Sequence, residues 1–156
     1  MSSIAGGSSG GGVKEERRPL VGVVVASHSA RVAEGIVEMA LQMAREQAPD
    51  VRVVAAGGAA DGSLGEDPTR IAAAIEEADS GAGVVVVVDF NGAVHAARFA
   101  LESLLDPALA ARVRISGGPL VEGAVFAAVQ ASVGDSLEAV LATAEAAASY
   151  DKHVAD

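Results

Sequence analysis

The side chains able to carry chemistry in this 156-residue chain are few. There is no cysteine, which removes thiolate nucleophiles, thiolate metal sites and disulfides, and a reducing compartment is the expectation. The three histidines, at 28, 95 and 153, form no i,i+4 pair and no HExxH, so no metal constellation is recognisable and no bound metal is expected. His28 is set apart by its neighbours. The triplet Ser27-His28-Ser29 follows an apolar run and precedes a helical pattern. At such a strand-to-helix corner, unpaired backbone N–H groups and the helix dipole favour an anion. A neutral imidazole there suits acceptance of a phosphoryl group, because attack needs an unprotonated ring nitrogen and the transferred oxygens need donors. The alternative is a histidine that only caps or packs.

Asp89 ends the run GVVVVVD. If that strand lies beside the first, its carboxylate approaches the His28 ring, and a bond to one ring N–H fixes the tautomer and frees the other nitrogen. The alternative is a cap on a helix starting near Ala93, and both roles can coexist. Receiver-like signalling domains also place a phosphoaccepting aspartate after the third strand, but they need an acidic pair after the first, where this chain has Ser27-His28-Ser29. His95, inside a helical pattern, and His153, in a polar tail, read as surface or packing residues. Gly57, Gly58, Gly62 and Gly65 read as backbone freedom beside the site. No GxGxxG or GxxxxGK[ST] occurs in the folded part, so no nucleotide cofactor is expected.

The elements that must position these residues alternate along the chain. Residues 20–26 (LVGVVVA) form a continuous apolar run, the pattern of a parallel strand buried on both faces. In 30–47 the apolar residues Ala33, Ile36, Val37, Ala40, Leu41 and Ala44 fall at helical spacing, with Ser29 as N-cap and Pro49 as stop. A second strand follows at 51–56, and Asp67-Pro68 opens a helix reaching about Asp79. The third strand is 83–89. A helix then runs through 101–105, a short strand covers 112–116, and helices lie near 120–131 and 137–149. Four parallel strands with right-handed crossovers give an α/β fold, an open doubly wound parallel sheet in the order 2-1-3-4 with helices on both faces. In such sheets ligands bind beyond the carboxyl ends of the strands, which draws attention to Ser27-His28-Ser29, Gly57-Gly58, Asp89-Phe90-Asn91-Gly92 and Gly117-Gly118.

Residues 1–18 are a Gly/Ser tract followed by charges, read as a disordered tail; 19–150 form the folded domain, and 151–156 a polar C-terminal tail. The net charge of −10, with scattered Lys and Arg, argues against nucleic acid and anionic membranes as partners. No apolar stretch reaches 18 residues and the N-terminus has no signal-peptide pattern, so a cytoplasmic location is expected.

The blocks ASHSARVAEGIVEMA, AAGGAADGSLGEDPTRI, ADSGAGVVVVVD and GPLVEGAVFAA resemble successive blocks of the DhaM family, the phosphotransferase subunits of phosphoenolpyruvate-dependent dihydroxyacetone kinases. The first domain of that family has the mannose-type EIIA fold. The resemblance runs from about Leu20 to Ala147. It implies that His28 takes a phosphoryl group from phospho-HPr and passes it to ADP held on a DhaL subunit, for final transfer to dihydroxyacetone on DhaK. Arg31 lies in the matched block and is placed to reach a phosphoryl oxygen or to remain a solvated helix residue. A homodimer is implied as well. Where the family usually reads D-L-G-S-A, this chain has Asp89-Phe90-Asn91-Gly92-Ala93, so a serine hydroxyl is lost at Gly92. Ser27, Ser29, Arg31, Asn91 and Gly92 are the expected phosphoryl-binding positions beside the catalytic His28 and Asp89. Asn91 or backbone N–H groups would replace the lost donor. Otherwise the chain is an EIIA-like interaction module with weakened or lost transfer.

Overall fold

The computed structural model describes residues 18–155; the expected N-terminal tail lies outside them except for Arg18. Strand β1 (Gly22–Ser27) leads into helix α1 (Ala30–Ala44), then β2 (Val53–Gly57), α2 (Pro68–Ala78), β3 (Val84–Val88) and α3 (Asn91–Phe99). A short helix α4 (Pro107–Ala110), β4 (Val113–Ile115), α5 (Leu120–Ser132) and α6 (Leu137–Ala146) complete the order. The four strands form one parallel sheet in the order β2-β1-β3-β4, as the sequence predicts.

The valine runs explain this sheet. Each strand residue alternates in direction, and both directions are buried. Val23, Val25, Val85 and Val87 point to one face, packed by Ala33, Ile36 and Ala40 of α1 and by Ala124 and Ala128 of α5. Val24, Ala26, Val84, Val86 and Val88 point to the other, against Ile71 and Ile75 of α2 and Ala93 and Ala97 of α3. The many alanines on the helices let backbones approach closely. Gly22 is the extreme case, since a Cβ there would overlap the carbonyl oxygen of Ala78 at the end of α2.

Two expectations change in detail. The helix after β3 begins at Asn91 rather than near Ala93, and it widens at its end into a π turn, Ala100–Leu104, closed by the Leu105 N–H donating to the Ala100 oxygen at 3.0 Å. The segment before β4 also folds into α4, started by Pro107 at a first helical position. Residues 151–155 are exposed and carry no helix or strand, and Lys152 returns to α5 through an ion pair with Glu122 at 3.1 Å. Among the described residues no helix is long and apolar enough to cross a membrane.

Candidate functional site

Strand register brings the site together. Ser27 is opposite Gly57 of β2, and Ala26 is opposite Val88 of β3, so His28 and Asp89 leave the sheet side by side at the carboxyl ends of its two central strands. Local capping then turns the chain. Ser29, extended at φ −114°, accepts the Val32 N–H on its hydroxyl at 3.3 Å and starts α1. The Ala33 N–H goes to the Ser29 carbonyl, and the N–H groups of Ala30 and Arg31 precede this first intrahelical bond, the position at which helix starts in general favour anions.

Asp89 is gripped by four donors. Its Oδ2 accepts the Ser27 hydroxyl at 2.9 Å and the His28 backbone N–H at 2.8 Å; its Oδ1 accepts the Phe90 N–H at 2.8 Å and faces His28 Nδ1 at 2.9 Å. Burial works to raise the Asp89 carboxyl, but these bonds, led by the one from the His28 N–H, outweigh it and hold the group below the usual aspartate range. An ionised carboxylate only accepts, so the ring proton of His28 belongs on Nδ1. Asp89 does not cap α3: the N-cap is Phe90, and among the described residues no side chain bonds to the N–H groups of that first turn.

Ser27, buried to 4% exposure, spends its hydroxyl proton on Asp89 and accepts the Ser29 N–H at 3.1 Å. It therefore positions the carboxylate. Phe90 stands edge-on to the imidazole, with centroids 5.4 Å apart and planes at 72°, and is itself exposed. Arg31 and Asn91 are exposed, and among the described residues neither side chain makes a hydrogen bond or ion pair. Gly92 sits in the first turn of α3. His95 is exposed on α3, and His153 is exposed beside Asp151, so neither joins the site.

The residue that sequence reasoning missed is Glu66. Its carboxylate meets Nε2 of His28, the ring nitrogen that Asp89 leaves open. The loop from Gly58 to Glu66 delivers it. Gly58, at φ +74°, donates to the Ser27 carbonyl at 3.1 Å, and Gly65, at φ +152°, donates to the His28 carbonyl at 2.9 Å. Asp67 then caps α2 by accepting the Thr69 N–H at 2.9 Å. Glu66 was visible in the sequence as a carboxylate just before a capped helix, beyond the end of β2, where this fold class gathers its functional loops. Asp89 and Glu66 lie on opposite nitrogens of one ring, and among the described residues no group of three such side chains converges to hold a metal ion.

Residues 22–141 match the EIIA-man family, the PTS system fructose IIA component. Over 122 residues the chain is 37% identical to the phosphoryl donor subunit DhaM of the PEP-dependent dihydroxyacetone kinase of Klebsiella michiganensis, a match covering 78% of this chain and 26% of that protein. It thus spans about a quarter of the length of that relative. The phosphoryl donor subunit DhaM of PEP-dependent dihydroxyacetone kinase 2 of Listeria innocua is also 37% identical, with 78% of this chain and 94% of that one covered. The crystal structure of EF1359, a protein of unknown function, superposes with a TM-score of 0.71 at 34% identity, covering 81% of this chain and 93% of the other. With its parallel β2-β1-β3-β4 sheet and this similarity to DhaM, the chain belongs to the EIIA-man family of the phosphotransferase system.

Proposed function

We propose that the domain spanning residues 19–150 is a cytoplasmic phosphotransferase subunit that carries a phosphoryl group on Nε2 of His28, taking it from phospho-HPr and passing it to ADP on a DhaL-type subunit. The observation that carries this reading is the His28 ring fixed at the strand ends, with Nδ1 held by an ionised Asp89 and Nε2 turned away from it. The similarity to DhaM phosphoryl donor subunits supports the partners.

The geometry supports the following course of transfer. The Nε2 lone pair attacks phosphorus, forming a new P–N bond while the donor's P–N bond breaks and its electron pair returns to the donor ring nitrogen. The Nδ1 proton stays in place. His28 gains positive charge during attack, and the Asp89 carboxylate at 2.9 Å stabilises it without moving. The Ala30 and Arg31 N–H groups, and the Arg31 side chain once it swings inward, are the donors within the same corner for the phosphoryl oxygens. Exposed Met39, Met43, Val121 and Tyr150 along α1, α5 and the chain end support the proposal of a homodimer, which light scattering at tens of micromolar tests; a monomer mass rejects it.

Incubation with phosphoenolpyruvate, enzyme I and HPr is expected to label the chain once. His28→Ala abolishes the label, whereas His95→Ala and His153→Ala leave it unchanged. The bond is stable in alkali and labile in acid. A full label on His28→Ala overturns the reading. A second reading, an EIIA-like interaction module without transfer, is supported by the Glu66 carboxylate at Nε2 and predicts no label on the wild type.

A further inference from the structure

We infer that Glu66 is a built-in stand-in for the phosphoryl group, a carboxylate that competes for Nε2 of His28, and that Gly92 is the residue that makes room for it. The inference rests on the reading of His28 as a phosphoryl acceptor. It adds that acceptance requires Glu66 to withdraw.

Three independent features place the carboxylate there. Glu66 is tied on both sides, by the Gly65 N–H bond to the His28 carbonyl and by the Asp67 cap of α2, and its side chain is only 26% exposed. It is thus held at the ring by the backbone. The space it fills exists because residue 92 has no side chain: a Cβ on Gly92 would fall on the Glu66 carboxylate. Finally, among the described residues the first turn of α3 has no capping side chain, and the Glu66 carboxylate lies beside Gly92 at that helix start, where the dipole favours an anion. A helix start and an imidazole nitrogen that together suit phosphoryl oxygens are occupied by an anion of the chain itself.

The charges around His28 reinforce the competition. Asp89 lies on Nδ1 and Glu66 on Nε2, while among the described residues no Lys or Arg pairs with either carboxylate. A phosphoryl group entering at Nε2 with Glu66 in place would meet like charge at contact distance. For transfer, the Glu66 carboxylate withdraws from Nε2, and any proton held between them leaves with it as the carboxyl proton. The freed Nε2 lone pair then forms the P–N bond as the donor's P–N bond breaks.

The test compares wild type, Glu66→Ala, Glu66→Gln, Gly92→Ser and Glu66→Ala/Gly92→Ser, all checked by circular dichroism, in two assays. Carbethoxylation by diethyl pyrocarbonate, mapped by mass spectrometry, reads access to Nε2 without any phosphoryl donor, and His95 and His153 on the same chain serve as internal references. Single-turnover transfer from phospho-HPr reads acceptance. Glu66→Ala is expected to raise both His28 rates about tenfold or more, the equivalent of releasing one half-buried charge contact. Glu66→Gln, which keeps the shape and removes the charge, is expected to raise transfer in part. Gly92→Ser ejects the carboxylate and gives a similar gain, and the double variant gains little beyond either single one, because both remove the same obstacle. Unchanged carbethoxylation in Glu66→Ala, or carbethoxylation gains that multiply in the double variant, overturn the inference. Faster carbethoxylation with no label on any variant upholds the competition for Nε2 and overturns the phosphocarrier reading instead.

Discussion

Asp89 holds His28 at two points at once, its Oδ2 taking the backbone N–H at 2.8 Å and its Oδ1 facing ring Nδ1 at 2.9 Å. The carboxylate thus fixes both where the residue sits and which ring nitrogen carries the proton. Asp89→Asn keeps the size and can still accept hydrogen bonds but cannot offset charge on the ring. It is expected to slow phosphorylation of His28 roughly ten- to ten-thousand-fold while the domain stays folded. Rapid-quench transfer from phospho-HPr, alongside circular dichroism, measures both; a normal rate would remove Asp89 from the mechanism.

Ser27 acts one step further back, donating to Asp89 Oδ2 and accepting from the Ser29 N–H. Ser27→Ala removes a hydrogen bond to a charged group, a loss of about 1.5 to 3 kcal/mol of stability in urea unfolding. The Asp89 carboxyl then titrates higher than in the wild type, because one of the bonds that lowers it is gone. Its 13C NMR titration should move upward, and transfer should slow less than in Asp89→Asn.

Away from the site, Asp79 accepts two bonds from Arg112, from Nε at 3.1 Å and from Nη2 at 2.6 Å, joining the end of α2 to the start of β4. The Arg112 bonds hold the Asp79 carboxyl below its ordinary value, against the opposing effect of burial. A carboxyl lowered on folding adds stability above its unfolded pKa of about 3.9, and that stability is lost as the pH falls through the lower folded value. Asp79→Asn should therefore lower the urea midpoint at pH 7, and the gap to the wild type should close under acid. A gap independent of pH would contradict this.

Gly57 ends β2 directly beneath the first turn of α1. A Cβ there would lie 2.6 Å from the Ser29 oxygen and 2.7 Å from the Ala30 Cα, both backbone atoms that cannot rotate away. Gly57→Ala should cost about 1 to 3 kcal/mol and displace the start of α1 from beside His28. Urea unfolding measures the first, and altered amide shifts at Ser29 and Ala30 the second; the substitution should also slow transfer.

The sequence by itself determined the layers and the central pair of the site. Five consecutive valines at 84–88 and the short β-branched run before His28 read as strands buried on both faces, and the amphipathic spacing of 30–44 as a helix covering one of those faces. The sheet order then sets β1 beside β3, which brings Asp89 to His28. Tertiary structure alone decided what occupies the other side of the ring. Glu66 arrives on a loop shaped by hydrogen bonds from Gly58 and Gly65 to the backbone around His28, and it fits only because α3 starts at Asn91 and places Gly92 against it. Periodicity reports which face of an element is apolar, whereas the meeting of three loops depends on the packing of the helices behind them. That is why Gly92 reads as a missing hydroxyl in the sequence and as space for a carboxylate in the fold.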